Sequence, residues 1–316
     1  VTSVVPPKGA RDGQLIGGGS LAVRLANFVK LPHTVFAMPF ALVGVIFASV
    51  AHAVTAPIIG YVLLAFTAAR FAAMGFNRIV DRDVDAVNPR TAMRELPSGA
   101  LTLGQAKTSV AVASALFVFA SSQLNALCLY LSPVALAWVL GYSYTKRFTR
   151  WSHVWLGFGL AIAPVGGYLA VAGGWSDPWW VLCALALMVA TWSGGFDILY
   201  ALQDAEFDRT HGLYSIPSTI GVPRAILLSR ALHITSVACL ATVIASHPLG
   251  AAGGAVQSVL WTGVIGVAAM LLFEHRMVKA NDLTKLNAAF FTMNGLISIG
   301  FLVIVFVARL VAGTVS

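Results

Sequence analysis

Acidic side chains are scarce in this chain, twelve Asp and Glu among 316 residues, and unevenly placed. Asp81, Asp83 and Asp85 fall in one short segment, and Asp197, Asp204, Glu206 and Asp208 in another. In the first, Asn77, Asp81 and Asp85 recur every four positions, so on a helix they form one stripe with neighbours about 6 Å apart. Asp83 falls on the opposite face, toward Arg82 or solvent. In the second, Tyr200, Asp204 and Asp208 repeat the spacing. Asp197, seven residues before Asp204, shares that face, and Glu206 points elsewhere. Like charges at i, i+4 repel, so each stripe asks for a cation. Hard carboxylate oxygens facing one cavity suit Mg²⁺, which keeps several waters and recruits phosphate oxygens to complete its octahedron. Asp81, Asp85, Asp204 and Asp208 with metal would therefore make a diphosphate site. A single such motif could equally cap a helix or pair with a nearby Arg, but two matching motifs favour the metal.

Positive charge follows both motifs, as Arg90 and Arg94 after the first and Arg209 and His211 after the second. Such side chains could neutralise a departing diphosphate or serve only as determinants of membrane topology. Arg70 lies seven residues before Asn77, on the same face and about 10 Å deeper. An unpaired guanidinium there costs at least ~2.5–3.5 kcal/mol, which points to the carboxylate of a second substrate, or else to an ion pair with Asp197 or bonds to helix carbonyls. Tyr142, Tyr144, Lys146 and Arg147 offer phenols and cations near the same end, though interfacial aromatics and snorkelling cations would look alike.

The elements that must position these residues are membrane helices. Of all residues 58% are apolar and 10% charged, with mean hydropathy +0.84, a balance that excludes an ordinary soluble domain. Runs long enough to cross about 30 Å of hydrocarbon predict nine spans, at 24–49, 57–83, 104–124, 126–145, 152–172, 178–203, 223–246, 252–273 and 286–312. Residues 1–23 read as a flexible N-terminal segment and 24–316 as a single transmembrane domain. Lys and Arg cluster at the N-terminus and after spans 2, 4, 6 and 8, while the loops around 50–56, 125, 173–177 and 247–251 carry none. The positive-inside rule then puts the N-terminus and both acidic motifs in the cytoplasm, with Arg309 against the trend. The net charge of +8 suits a membrane surface or anionic substrate rather than nucleic acid, and no obligate protein partner is indicated. Cys128, Cys183 and Cys239 fall in separate apolar spans without metal-ligand spacing and read as small hydrophobes. His33, Asn287 and Asn294 read as helix-to-helix hydrogen-bonding residues, and Trp151, Trp155, Trp179 and Trp180 as interfacial anchors.

With its paired NxxxDxxxD and YxxxDxxxD motifs, Asn77-Asp81-Asp85 and Tyr200-Asp204-Asp208, the sequence resembles the UbiA superfamily of intramembrane prenyltransferases. The segments FNRIVDRDVDAVNPRTAMRELPSG, YSYTKRFT, FDILYALQDAEFDRTHGLYSIPS and KLPHTVFAMPFAL carry the likeness along essentially the whole chain. The resemblance implies an all-α membrane protein of about nine transmembrane helices around a central cavity, with cytoplasmic cap loops and a side opening for the isoprenoid tail. It implies Mg²⁺ at Asp81, Asp85, Asp204 and Asp208, with Asn77 assisting, and ionisation of a prenyl diphosphate to an allylic cation that alkylates an aromatic acceptor. Arg70 looks like the acceptor's carboxylate anchor. Arg90, Arg94, Asp197, Tyr200 and Arg209 would line the substrate site, with Tyr144, Lys146 and Arg147 near acceptor and diphosphate. Arg78 departs from the Asp that many members carry there. The wording is most like the 4-hydroxybenzoate polyprenyltransferase branch and its menaquinone relatives, which implies an aromatic acid, 4-hydroxybenzoate or a hydroxynaphthoate, and a bacterial or archaeal plasma membrane.

A secondary transporter or cation exchanger would also carry intramembrane Asp, but such sites sit near the midplane rather than at helix ends beside basic loops. The CDP-alcohol phosphotransferases use a DGxxAR element that is absent. Haem, chlorophyllide and lipid-ether acceptors remain alternatives within the superfamily.

Overall fold

A computed structural model describes residues 16–31, 34, 37–278 and 292–315. Among these residues every regular element is helical, and eight helices are long and apolar enough to cross a membrane. They are α3 (Ala56–Val80), α5 (Leu103–Leu124), α6 (Ala126–Thr145), α7 (Ser152–Ala172), α8 (Trp179–Ala201), α11 (Val222–Ser246), α12 (Gly254–Met277) and α13 (Asn294–Val315). The expected first span, 24–49, is instead two pieces, α1 (Leu21–Phe28) and α2 (Met38–Ala48). Lys30, at φ 49°, lies just beyond α1 and cannot continue a right-handed helix. The 11 residues of α2 rise only about 16 Å, so it is a shorter member of the bundle. Ile16 is held by a reciprocal pair of hydrogen bonds to the Asn27 side chain, which ties the start of the described chain to α1. His33, Asn287 and the first part of the expected last span lie outside the described residues.

Local signals set the remaining boundaries. Thr102 and Gln105 form a capping box before α5, two orphan N–H groups satisfied reciprocally. Asn125 accepts from Cys128 N to start α6 while its amide donates to Leu169 O at the far end of α7. Gly173, at φ 64°, ends α7, as glycine can without steric penalty. Trp138 and Trp155 clamp α6 to α7, the rings stacked at 4.3 Å and each indole N–H donating to the other's backbone carbonyl. Trp155 is therefore a packing residue as well as an aromatic near the helix end.

The helices close into a ring in which α2 packs on α7, α7 on α8, α8 on α11, α11 on α12, α12 on α13 and α13 back on α2. A second group, α3, α5 and α6, leans on α7. Trp192 is the centre of the apolar core, 4.9 Å from Phe40 and 4.8 Å from Phe196, with Phe301 beyond Phe40. In lipid no hydrophobic drive separates helix from tail, so close backbone approach through small residues replaces it. A Cβ at Gly44 would strike the Pro164 carbonyl, and one at Gly167 would strike that of Ala41. Gly157 makes the same approach to Ala190 on α8.

Gly167→Ala should destabilise the bundle by about 1–3 kcal/mol through overpacking. Its neighbour Gly166 has open space around it, and Gly166→Ala should be close to neutral. Thermal unfolding of both variants in one detergent checks the contrast.

Candidate active site

Both acidic motifs sit where a long membrane helix gives way to a short one. After α3 the chain passes through Asp81 into α4 (Arg82–Val87), and after α8 it passes through a tighter turn, Leu202–Asp204, into α9 (Ala205–Thr210). Asp81 at φ −91°, ψ 5° and Asp204 at φ −100°, ψ 0° share the sparsely populated bridge conformation. Four-residue bonds still run from Asp81 N to Asn77 O and from Asp85 N to Asp81 O, so the first stripe survives its break as the spacing predicts. Gly212, at φ 67°, follows α9, and the loop beyond it is pinned by Tyr214 N donating to Lys146 O at the end of α6.

Each of the four motif carboxylates is held by one cation. The Arg90 guanidinium donates Nε and one terminal nitrogen to the two oxygens of Asp204 at 3.0 and 2.7 Å. One nitrogen of Arg94 reaches both oxygens of Asp85 at 2.7 and 2.8 Å. Arg147 bonds Asp81 at 3.0 Å and also the Val80 and Ser143 carbonyls. Lys146 Nζ lies 3.3 Å from Asp208. Asn77 donates to the remaining oxygen of Asp81 at 2.8 Å. The pairing crosses between motifs, since the loop after the first motif serves Asp204 and the end of α6 serves both. Asp85, Asp204 and Asp208 are buried, where an ion pair gains most from its partner and loses most without it.

Burial disfavours the Lys146 ammonium, but Asp208, Asp204 and Asp197 outweigh it and hold its pKa above the ordinary lysine value. For Asp81 burial is the largest influence and pushes its pKa up, with Asp85 adding and Arg147 opposing. The folded state thus binds the Asp81 proton more tightly than the unfolded chain does. Stability falls as pH rises from the ordinary 3.8 through the raised folded value, so ionised Asp81 is a net cost at neutral pH.

Other predicted site residues divide. Tyr200 lies beneath Arg90, 5.8 Å from ring centroid to guanidinium carbon. The buried Nε of Arg70 has no hydrogen-bond partner among the described residues, and the expected alternative of an Asp197 ion pair is not found. Asp197 is bonded instead to His153 at the start of α7, Nδ1 to Oδ2 at 2.7 Å. Sequence reasoning missed His153, because α7 carries no acidic motif to draw attention to it. Arg209 turns away from the carboxylates and pairs on the surface with Glu206, since α9 is only one and a half turns long and its fifth position faces outward. Tyr144 is exposed and packs on Phe76 with Arg147 over its ring, leaving its backbone neighbours to reach the acids. Arg82 and Asp83 pair with each other at the surface.

Among the described residues no three His, Cys, Asp or Glu side chains converge closely enough to hold a metal ion as they stand. The donor chemistry nevertheless fits a hard divalent cation, because Asp81, Asp85, Asp204 and Asp208 are all carboxylates at one end of the bundle. Their four partners are guanidinium and ammonium groups, which match phosphate oxygens equally well.

The profile of the UbiA prenyltransferase family matches residues 37–296. Protoheme IX farnesyltransferase of Gloeobacter violaceus is 29% identical over 255 residues, 78% of this chain and 77% of that protein. The 4-hydroxybenzoate octaprenyltransferase of Edwardsiella ictaluri is 28% identical over 239 residues, 74% and 79% of the two chains. Among solved structures, the apo form of a UbiA homologue from Aeropyrum pernix superposes with a TM-score of 0.74 at 28% identity, covering 89% of this chain and 98% of that one. A UbiA homologue from Archaeoglobus fulgidus, bound to DMAPP and Mg²⁺, superposes at 0.72 with 20% identity over 91% and 99%.

Two substitutions separate the roles of these charges. Arg90→Met strands the buried Asp204 carboxylate and should cost about 3–5 kcal/mol, with much of the loss recovered in Arg90→Met/Asp204→Leu. Asp81→Asn should leave heat resistance at pH 7 equal to or above wild type. Thermal unfolding in detergent reads both.

Proposed function

Because the chain belongs to the UbiA prenyltransferase family, we propose that it transfers a prenyl group from its diphosphate to an aromatic carboxylic acid, 4-hydroxybenzoate or a hydroxynaphthoate, in ubiquinone or menaquinone biosynthesis. The observation that carries this reading is the set of four acid–cation pairs at one end of the bundle, together with the partly buried Arg70, whose buried Nε lacks a partner among the described residues. Asp81, Asp85, Asp204 and Asp208 would hold Mg²⁺, with Asn77 steadying Asp81. When bound, the metal supplies positive charge to the diphosphate oxygens. Arg90, Arg94, Lys146 and Arg147 then transfer part of their bonding from carboxylate to diphosphate, neutralising charge as the C–O bond lengthens. Arg70 anchors the acceptor's carboxylate, and the surrounding helices exclude water that would quench an allylic cation. An apolar groove of about 580 Å³ between α1, α3 and α5, lined by Leu25, Leu64, Phe71, Val112 and Leu116 among others, offers hydrocarbon surface for the isoprenoid tail. The distribution of Lys and Arg supports a site facing the cytoplasm.

A haem acceptor is the second reading, favoured by the similarity to the Gloeobacter farnesyltransferase. The purified protein, assayed for pyrophosphate release with geranyl diphosphate, Mg²⁺ and each acceptor class in turn, decides between them. Release that requires an aromatic acid and is abolished by EDTA supports the first reading, and release only with haem supports the second. Asp81→Ala and Asp204→Ala should abolish turnover in a folded protein. Arg70→Ala should raise the KM for the aromatic acid with a smaller effect on that for geranyl diphosphate.

A further inference from the structure

Alkylation of an aromatic ring ends with loss of a ring proton, and a group must take it. The four motif carboxylates are poor recipients, each already bonded to Arg or Lys and each engaged with metal and diphosphate in the reading above. Asp197 differs from them in three respects. Its partner is His153, fully buried, rather than a guanidinium or ammonium. Its second oxygen, Oδ1, makes no hydrogen bond among the described residues. It is also accessible: along Thr191–Leu202 only Asp197 and Tyr200 escape burial, and the Asp197 side chain is 17% exposed.

The tautomer of His153 follows from its two bonds. Nε2 accepts from Ile216 N at 3.4 Å, so Nδ1 carries the hydrogen and donates it to Asp197 Oδ2. An imidazole locked this way fixes the orientation of the carboxylate. Asp197 stands seven residues before Asp204, about 10 Å deeper along α8.

We propose that Asp197 accepts the proton lost by the acceptor ring, with His153 as its positioning residue. The proposal rests on the aromatic prenyl-transfer reading above. The C1–O bond of the prenyl diphosphate breaks with its electron pair leaving on diphosphate, and a π pair of the ring forms the new bond to C1. The ring C–H pair then restores aromaticity as the proton passes to Asp197 Oδ1. The carboxylate becomes a neutral carboxylic acid, still accepting from His153 Nδ1 through Oδ2, and it later gives the proton to water.

The test compares Asp197→Asn, His153→Asn and His153→Ala in detergent with geranyl diphosphate, Mg²⁺ and protiated or ring-deuterated acceptor. Asp197→Asn should lower kcat by roughly 10²–10⁴-fold, leave the KM for geranyl diphosphate near wild type, and show a deuterium isotope effect larger than the wild type's. His153→Asn keeps a donor near the Nδ1 position and should retain more activity than His153→Ala, which should show the same enlarged isotope effect. Asp197→Asn turning over at near the wild-type rate, or slowed with the isotope effect unchanged, overturns the proposal. A wild-type protein that alkylates no aromatic acid overturns the reading beneath it, an outcome distinct from an active wild type with an active Asp197→Asn.

Discussion

Four carboxylates gathered at one end of an apolar bundle cannot stand alone. Each would face the cost of desolvation together with the repulsion of its neighbours, and the architecture around them is arranged to supply four cations at bonding distance. Arg90 and Arg94 come from the loop behind the first motif, and Lys146 and Arg147 from the end of α6. Helix ends that would otherwise move apart are thereby tied, α3 to α6 through Arg147 and α6 to α9 through Lys146. The same cations suit phosphate, so an arrangement that stabilises the resting fold also prepares the end of the bundle for a diphosphate.

The interior below is built on different terms. Aromatic packing around Trp192 and close glycine contacts of α7 with α2 and α8 give a rigid wall. Into that wall are set polar groups with partners on other elements, such as His153 with Asp197 and His233 with the Trp192 carbonyl. A Cβ on Gly195 would collide with the His233 ring, so the approach of α11 to α8 beside Asp197 depends on a missing side chain. The raised pKa of Asp81 shows the opposite side of the balance, a charge kept at the site at some expense to stability.

Much of this was legible in the sequence. Hydropathy alone placed α5, α6, α7, α8 and α11 within a residue or two of their observed bounds, because each is a continuous apolar run between capping or charged residues. The four-residue spacing correctly put Asn77 beside Asp81, and the bond between them runs along the predicted stripe. The break between α1 and α2 was missed although Lys30, Pro32, His33 and Thr34 lie in it, because the apolar runs on either side dominate the hydropathy, which does not register the positive φ of Lys30. Partners distant in sequence were the other gap. Nothing local to Asp197 points to a histidine 44 positions earlier, and nothing in α9 says that Arg209 will face water while Arg90, 114 positions before Asp204, reaches inward.

That last separation bears on how the chain is made. Synthesis runs from the N-terminus, so the charges of the first motif emerge long before those of the second. Asp85 finds Arg94 within nine residues, and Asp81 finds Arg147 once α6 has been added. Arg90 and Lys146 meet their motif carboxylates, Asp204 and Asp208, only when the end of α8 and α9 follow, 114 and 62 residues later. During that interval the growing protein carries a surplus of positive charge at one membrane surface. This surplus is what holds basic loops on their side of a bilayer during insertion, so residues that later pair at the site first serve to orient the half-made chain.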